Sequence, residues 1–290
     1  MMPNPLHASH YPDAALHQRV NIVENVRIAQ ATYRLRFACP ELAARILPGQ
    51  FLMLRLERND PLIGRAFALY QTVLSETGEP WGIDVVYLVK GKFTRELVNC
   101  PPGQSLMVWG PLGNGFPADP IEHLVLVAGG IGQTPFLPLA AEFLGQRRYG
   151  QPARTVPPAR RVSLCYGART ADLLAGVEDF QALGVELHLA TDDGSRGHPG
   201  LVPDVLRPLL ERAELPQRVV ACGPEVMLQA VAKITSTWGV SCQVSLETPM
   251  ACGIGICFSC VTRVKDDRGD WDWKRTCVEG PVFDARRIAW

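Results

Sequence analysis

One stretch constrains this chain more than any other: Glu247-Thr-Pro-Met250-Ala-Cys252-Gly-Ile-Gly-Ile-Cys257-Phe-Ser-Cys260, followed by Cys277-Val-Glu-Gly280-Pro281. Four of the nine cysteines fall here, with four, two and then sixteen residues between successive thiols, which is the spacing of a plant-type [2Fe–2S] cluster. Such a site needs thiolates converging on two irons. A glycine-rich loop allows this because its backbone can fold around the metal and aim amide N–H groups at sulfur, and Gly253 and Gly255 supply that freedom. Zinc competes for the same residue type, but zinc sites usually pair two C-x2-C units and this region has one. Structural disulfides belong to secreted chains, and residues 1–17, interrupted by proline and histidine, are not expected to form a signal peptide. Scattered buried thiols would not produce this spacing.

Length and composition bound the rest. At 290 residues the chain suits two domains rather than one core. Apolar residues make up 47% and charged residues 20%, a globular balance. The 29 basic residues equal the 29 acidic ones, so no excess of positive charge exists to hold a phosphate backbone, and nucleic acid is not an expected partner. No run of eighteen apolar residues occurs, so no membrane span is expected. Nine cysteines without a secretory signal point to a reducing, cytoplasmic setting.

In chain order, residues 1–19 mix Pro, His, Asn and Asp without periodicity and are expected to form a mobile leader; its three histidines are read as solvated polar residues rather than ligands. Short strands are expected over residues 20–29, 32–38, 51–56, 66–72, 83–89 and 105–109, separated by Pro-Gly, Asn-Asp-Pro and Thr-Gly turns. Strands so spaced, with almost no helix, imply a small antiparallel β-barrel over residues 20–118. From residue 119 to 246 strand alternates with helix. The strands are 124–128, 161–166, 185–191, 218–221 and 242–246; the helices are 135–144, 176–183, 201–213 and 224–238. That alternation implies a doubly wound parallel sheet, an α/β architecture that often binds nucleotides. Residues 146–160 are read as an exposed connection, and residues 247–290 as the cluster-binding loop region.

Several stretches suit phosphate. Gly129-Gly130-Ile-Gly132-Gln-Thr-Pro135 follows the first parallel strand and opens a helix. Glycines there let the backbone approach a pyrophosphate, and the helix end presents free N–H groups; the plain alternative is a tight turn that needs glycine anyway. Cys222-Gly223-Pro224 ends the fourth strand, where an open α/β sheet faces its ligand crevice. Thr191-Asp-Asp-Gly-Ser195 ends the third strand and reads equally as a polar turn. In the barrel, Arg65 precedes Ala66-Phe67-Ala68; its guanidinium fork suits a pyrophosphate, although such an Arg is usually a surface charge. Gly91-Lys-Phe-Thr94 opens a short helix offering N–H groups and a hydroxyl to an anion, or is an ordinary N-cap.

Taken together these motifs resemble the electron-transfer subunit of type B dihydroorotate dehydrogenase, within the ferredoxin–NADP reductase superfamily. The resemblance runs over residues 20–283. It rests on the cysteine motif with Cys277-Val-Glu-Gly-Pro-Val-Phe283, on Gly110-Pro-Leu-Gly-Asn-Gly-Phe116, on Gly129-Gly-Ile-Gly132 with Pro135, on Tyr166-Gly-Ala-Arg169, on Thr191-Asp-Asp-Gly-Ser195 and on Ala221-Cys-Gly-Pro224. It implies that the barrel binds FAD and the α/β domain binds NAD(P). It also implies that Cys252, Cys257, Cys260 and Cys277 ligate the cluster. Arg65, Ala66, Phe67 and Ala68 then occupy the flavin motif, Gly91 and Thr94 its pyrophosphate loop, and Gly129, Gly130 and Gly132 the dinucleotide turn, with Cys222 and Gly223 near the nicotinamide. The family's Pro and Ser of the flavin motif are Ala66 and Ala68 here, so a hydroxyl is missing. Phe93 stands where its loop has glycine and is expected to crowd the pyrophosphate.

The implied route is NAD(P)H to FAD to [2Fe–2S] to an external acceptor, with no acid–base residue required. Two domains and a loop use up the chain, so a catalytic dehydrogenase partner is implied, a dihydroorotate-oxidising FMN subunit if the match extends that far. Trp271, Trp273, Phe283 and Trp290 are candidates for its interface or for packing over the cluster. Two alternatives stand beside this: an NAD(P)H-dependent reductase subunit serving ferredoxin or another dehydrogenase, and a flavin-poor iron–sulfur protein that senses redox state or binds a partner. The sequence leaves NAD against NADP open.

Overall fold

The two halves of the chain bury their strands with different periods. In strand β7 (Ser105–Leu112) buried and half-buried residues alternate along the whole length, as in a barrel strand with one face inward. In β8 (His123–Gly129) and β9 (Arg161–Ala168) six consecutive residues are buried, as in a parallel sheet covered on both faces. The structure, a computed structural model, describes residues 12–57, 61–212 and 214–290.

The first half comprises β1 (Leu16–Ala29), β2 (Thr32–Ala38), β3 (Phe51–Leu56), β4 (Arg65–Ala68), β5 (Gln71–Leu74), β6 (Pro80–Leu88) and β7, with helices α1 (Pro40–Arg45) and α2 (Lys92–Leu97). All pairings are antiparallel in the order β4-β3-β7-β1-β2-β6-β5. The edge strands β4 and β5 are consecutive in sequence, and the residues between them bridge the gap. Leu69 N–H donates to Gln50 O beyond β3 and Tyr70 N–H to Asp84 O in β6, which closes the barrel around Leu35, Phe37, Leu54, Val85 and Val108. The strand expected over residues 66–72 is thus two strands with a corner. Strand β1 begins at Leu16 rather than residue 20, its first residues pairing with β7. Of the expected leader, residues 1–11 lie outside the described residues.

The second half contains β8, β9, β10 (Glu186–Thr191), the short β11 (His198–Pro199), β12 (Arg218–Cys222), β13 (Ser241–Ser245), and helices α3 (Phe136–Phe143), α4 (Val177–Ala182), α5 (Val202–Leu210) and α6 (Glu225–Thr237). Strand order is β11-β10-β9-β8-β12-β13-β16. One core lies against α3 and α4 and the other against α5 and α6, so the sheet is covered on both faces. The chain turns back at β8, whose neighbours β9 and β12 lie on opposite sides; this is the switch point where such sheets open a crevice. The remaining residues form a hairpin, β14 (Val261–Lys265) with β15 (Trp271–Arg275), and then β16 (Val282–Asp284), antiparallel to β13. Among the described residues no helix is long and apolar enough to cross a membrane.

The halves are joined by packing. Tyr70, Val86 and Phe116 of the barrel half belong to the same apolar cluster as Phe136, Tyr166 and Phe180. Residues 146–160, expected as an exposed connection, are the strap across this seam. Tyr149 is buried and its hydroxyl donates to Gln71 Oε1 at 2.6 Å, while Arg154 forks onto buried Glu142 and donates to Phe116 O. The Tyr70 hydroxyl donates to Asp179 Oδ2 at 2.5 Å. It is 1% exposed, and burial raises its pKa well above the usual range.

That pair generates a prediction. Tyr70→Phe keeps the ring and removes the donor from a half-buried carboxylate, at a cost of about 1–3 kcal/mol. A lower urea midpoint at unchanged slope is the expected result; an unchanged midpoint would mean the hydrogen bond contributes nothing to joining the halves.

Candidate functional site

The four cysteines of the C-terminal motif come together as two pairs. Cys260 and Cys277, both 1% exposed, share a hydrogen bond at 3.2 Å between sulfurs, well beyond a disulfide bond. Cys252 and Cys257 flank the same turn, and Cys252 is a minor cause of the lowered Cys257 pKa. Two pairs suit two irons, each holding two thiolates; one zinc would want four sulfurs around one point. Two of the four thiols are held down, toward the ligating thiolate form. The Ser259 hydroxyl, 3.1 Å from Cys257 Sγ, is the main cause holding that thiol down at about 6. Cys260 is held at about 6 by its hydrogen bond with Cys277, which is itself pushed up by the same contact and by burial.

The loop is shaped by backbone that few side chains tolerate. Gly253 (φ +74°) and Gly255 (φ +81°) are left-handed, and an added Cβ would lie 2.6 Å from Met53 Cγ or Val278 Cγ2 respectively. Phe258 adopts φ +56° despite its side chain, a strained conformation that coincides with Arg275 lying 5.2 Å above its ring. Arg275 also donates to Gly255 O and to Glu279. Ile254 N–H points at Cys252 Sγ at 3.4 Å. The donor set, the pairing and this N–H contact fit an iron–sulfur cluster.

Residues outside the cysteine motif anchor the loop. Trp109 Nε1 in β7 donates to Cys252 O at 2.9 Å, and Thr276 donates to Cys260 O. Asn114 donates to Glu279 O and Val282 O and accepts from Val282 N–H. The motif Gly110–Phe116 thereby acquires a role that its spacing did not disclose: it clasps the segment carrying the fourth cysteine. The sequence signal was an Asn inside a glycine-rich turn, which read only as family likeness.

The dinucleotide candidates also converge. Gly129 ends β8 with Gly130 and Gly132 after it, and Cys222 ends β12 with Gly223 after it, the two strand ends lying next to each other across the switch point. Three of these glycines are required by packing alone. An added Cβ on Gly132 would lie 2.2 Å from Cys222 O, on Gly129 2.7 Å from Met227 Sδ, and on Gly223 3.0 Å from Gly129 Cα. Gly130 differs: it is left-handed (φ +56°) and meets nothing within 4 Å, so its backbone faces open space. Cys222 is half-buried, its thiol pushed up to about 12 by burial and by Glu247. Glu247 opens the cluster loop, so the α/β crevice and the loop meet. The turn Asp192–Ser195 is occupied with itself, Asp193 Oδ1 accepting from Ser195 N–H and Oγ–H.

The flavin candidates lie on β4 and at α2. Strand β4 is an edge strand, so one side of the backbone of Ala66, Phe67 and Ala68 has no strand partner, and Ala66 packs against Cys260, Cys277 and Met53. Arg65 is exposed and its guanidinium donates to Ile63 O and Gly64 O. Gly91 caps α2, with Lys90 N–H and Gly91 N–H both donating to Thr94 Oγ1. Phe93 departs from expectation: it sits in the helix without positive φ, is 1% exposed, and turns into the barrel core, 5.9 Å from Phe67. Its bulk fills the barrel instead of the outer rim, so the expected crowding does not arise from it. An open strand edge, an exposed Arg and a helix start fit a flavin dinucleotide.

Comparison with known proteins follows the same division. Residues 247–289 match the family described as the iron–sulfur cluster binding domain of dihydroorotate dehydrogenase B, and residues 19–116 match the oxidoreductase FAD-binding domain. The chain is 32% identical over 270 residues to the dihydroorotate dehydrogenase B (NAD(+)) electron transfer subunit of Caldanaerobacter subterraneus, covering 93% of this chain and 97% of that one. It is 35% identical over 276 residues to the subunit of the same name from Geobacillus kaustophilus, covering 93% and 98%. Among solved structures it is similar to a chain described for the NADH-dependent reduced ferredoxin-NADP oxidoreductase of flavin-based electron bifurcation, with TM-score 0.76, 27% identity and coverage of 93% and 90%. The cytochrome b5 reductase domain of Ulva prolifera nitrate reductase shares the fold at TM-score 0.58 and 20% identity, covering 77% and 93%.

The glycines separate by experiment. Gly132→Ala drives a methyl into a backbone carbonyl and should cost about 3 kcal/mol or more of stability. Gly130→Ala should cost about 1–2 kcal/mol for its left-handed backbone yet weaken dinucleotide binding. Denaturant midpoints and NADH titration read the two effects; equal stability losses without a difference in NADH affinity would reduce both glycines to turn residues.

Proposed function

The chain belongs to the family of dihydroorotate dehydrogenase B electron-transfer subunits, and we propose that it passes electrons between NAD(H) and a dihydroorotate-oxidising partner subunit through FAD and a [2Fe–2S] cluster, in the cytoplasm. The observation that carries this reading is the loop that holds Cys252, Cys257, Cys260 and Cys277, with the Cys260 and Cys277 sulfurs 3.2 Å apart, seated on the barrel where Ala66 packs against the same apolar cluster as Cys260 and Cys277. FAD, when bound, converts hydride transfer from the nicotinamide into the single-electron steps a cluster accepts.

The chain's own residues perform positioning. Gly130 and the N–H groups that follow β8 receive the pyrophosphate of NAD(H), and Cys222 and Gly223 border the nicotinamide. Arg65 and the turn at Gly91 and Thr94 would hold the flavin's pyrophosphate, and the open edge of β4 would offer its free backbone groups to the same cofactor. Ala66 and Ala68 offer no hydroxyl, so backbone groups of β4 would serve in its place. Cys260 and Cys277 face inward, away from water, whereas Cys257 is exposed, between the exposed Ile256 and Phe258. Electrons therefore exchange with the partner at the Cys257 side. The barrel positions the flavin, the sheet positions the nicotinamide, and the loop spans from both to the surface.

Anaerobic NADH titration with visible absorption and low-temperature EPR tests the order. Flavin bleaching followed by a reduced [2Fe–2S] signal is the expected course. Cys257→Ser should abolish the cluster signal while leaving flavin reducible by NADH. Loss of flavin reduction together with the cluster would contradict the order, and stoichiometric iron without flavin would favour the redox-sensing alternative.

A further inference from the structure

Register places six side chains of the C-terminal hairpin on one face. Val261 pairs with Arg275, Arg263 with Trp273 and Lys265 with Trp271, and alternate residues of a strand share a face. The opposite face holds Val264, 6% exposed and bridged to Ile288, so that side packs against the body. On the first face Trp271 and Trp273 remain 50% and 54% exposed. Their rings meet edge-on at 5.6 Å, and the Arg263 guanidinium lies 5.4 Å above Trp271. About half of each indole is therefore open to solvent. Beside Trp273 the hairpin, α6 and Trp290 border a groove of about 220 Å³.

We propose that this Trp271–Trp273–Arg263 face is a second half of the docking surface for the oxidoreductase subunit that exchanges electrons at Cys257, and that the partner meets it with carboxylates and an apolar recess. The inference rests on the functional reading above and adds an interface to it. Continuity carries it: Arg275 on the same face stacks on Phe258, which flanks Cys257, so hairpin and exit loop form one surface. Charge specifies the partner: the ionisable side chains on this face of the hairpin are Arg263, Lys265 and Arg275, and among the described residues Arg275 is the one of them paired with a carboxylate, Glu279. Clustered Trp and Arg are the side chains that dominate interface energies, and two half-exposed indoles gain when water leaves them.

The test is affinity for the dihydroorotate-oxidising subunit, with the full chain loaded with iron and flavin. Trp271→Ala with Trp273→Ala should weaken the complex about tenfold or more, and Arg263→Glu should weaken it and flatten its dependence on salt. Iron content checks the fold of each variant, and Trp271→Phe with Trp273→Phe serves if the alanine pair fails to fold. Trp238→Ala, exposed on the far end of α6, should leave affinity unchanged. If Phe258→Ala weakens the complex but the hairpin variants do not, the exit stands and the hairpin face is overturned. Hairpin variants that keep full affinity for the partner but lose binding to phosphatidylserine vesicles would reassign the face to a membrane surface. No complex with the native chain sinks the functional reading and this inference with it.

Discussion

The fourth thiolate cannot be placed until both halves of the molecule have folded, because its segment is held from two sides. Strand β16 pairs with β13 of the α/β sheet, while Asn114 from the barrel half takes Glu279 O, Val282 O and Val282 N–H. Cys277 lies just ahead of both grips, and its neighbour Thr276 binds back to Cys260. Each hydrogen bond is worth only about 1 kcal/mol net. Together they make cluster geometry depend on how the halves sit, which the Tyr70–Asp179 contact and the 146–160 strap fix. The ligand set is local in sequence for three cysteines and global for the fourth.

The same economy appears at the switch point. Gly129, Gly132 and Gly223 look like a phosphate signature, yet each is already required because the turns after β8 and β12 touch. That contact holds the end of β12, with Cys222, against the mouth of the crevice. Packing glycines thus build the site, and Gly130 is left to meet a ligand. A motif read as binding residues separates into scaffold and contact only when the space around each Cα is known.

Much of the architecture was legible because its period is. Barrel strands alternate and central parallel strands do not, and both patterns survive in the chain as written. The residues that escaped reading are those whose partners are distant. Trp109 and Asn114 act on atoms 143 and 165 or more positions away, and nothing local marks them. Phe93 was misjudged for a related reason: a glycine-like position suggests positive φ, but here the helix begins early enough for the ring to turn inward. The hairpin β14–β15 was invisible because its outer face is aromatic and basic and its inner face nearly featureless, giving no alternation to recognise. The corner at Leu69–Tyr70 shows the limit differently, since a continuous apolar run hides a change of sheet edge.

The cluster site is asymmetric, and that asymmetry gives the proposed relay its direction in space. Cys260 and Cys277 lie in an apolar cluster with Phe51, Met53 and Val278, against which Ala66 packs, whereas Cys257 is open to solvent. The inner side, toward the barrel, is apolar and excludes water. The outer side is wet in the isolated chain, where solvent and N–H groups near sulfur both act on the potential of a cluster. Ile256 and Phe258 stand at that opening with most of their surface exposed, so a partner that covers them also dries Cys257. The proposed docking surface and the proposed atom of electron exchange thus share one exposed patch.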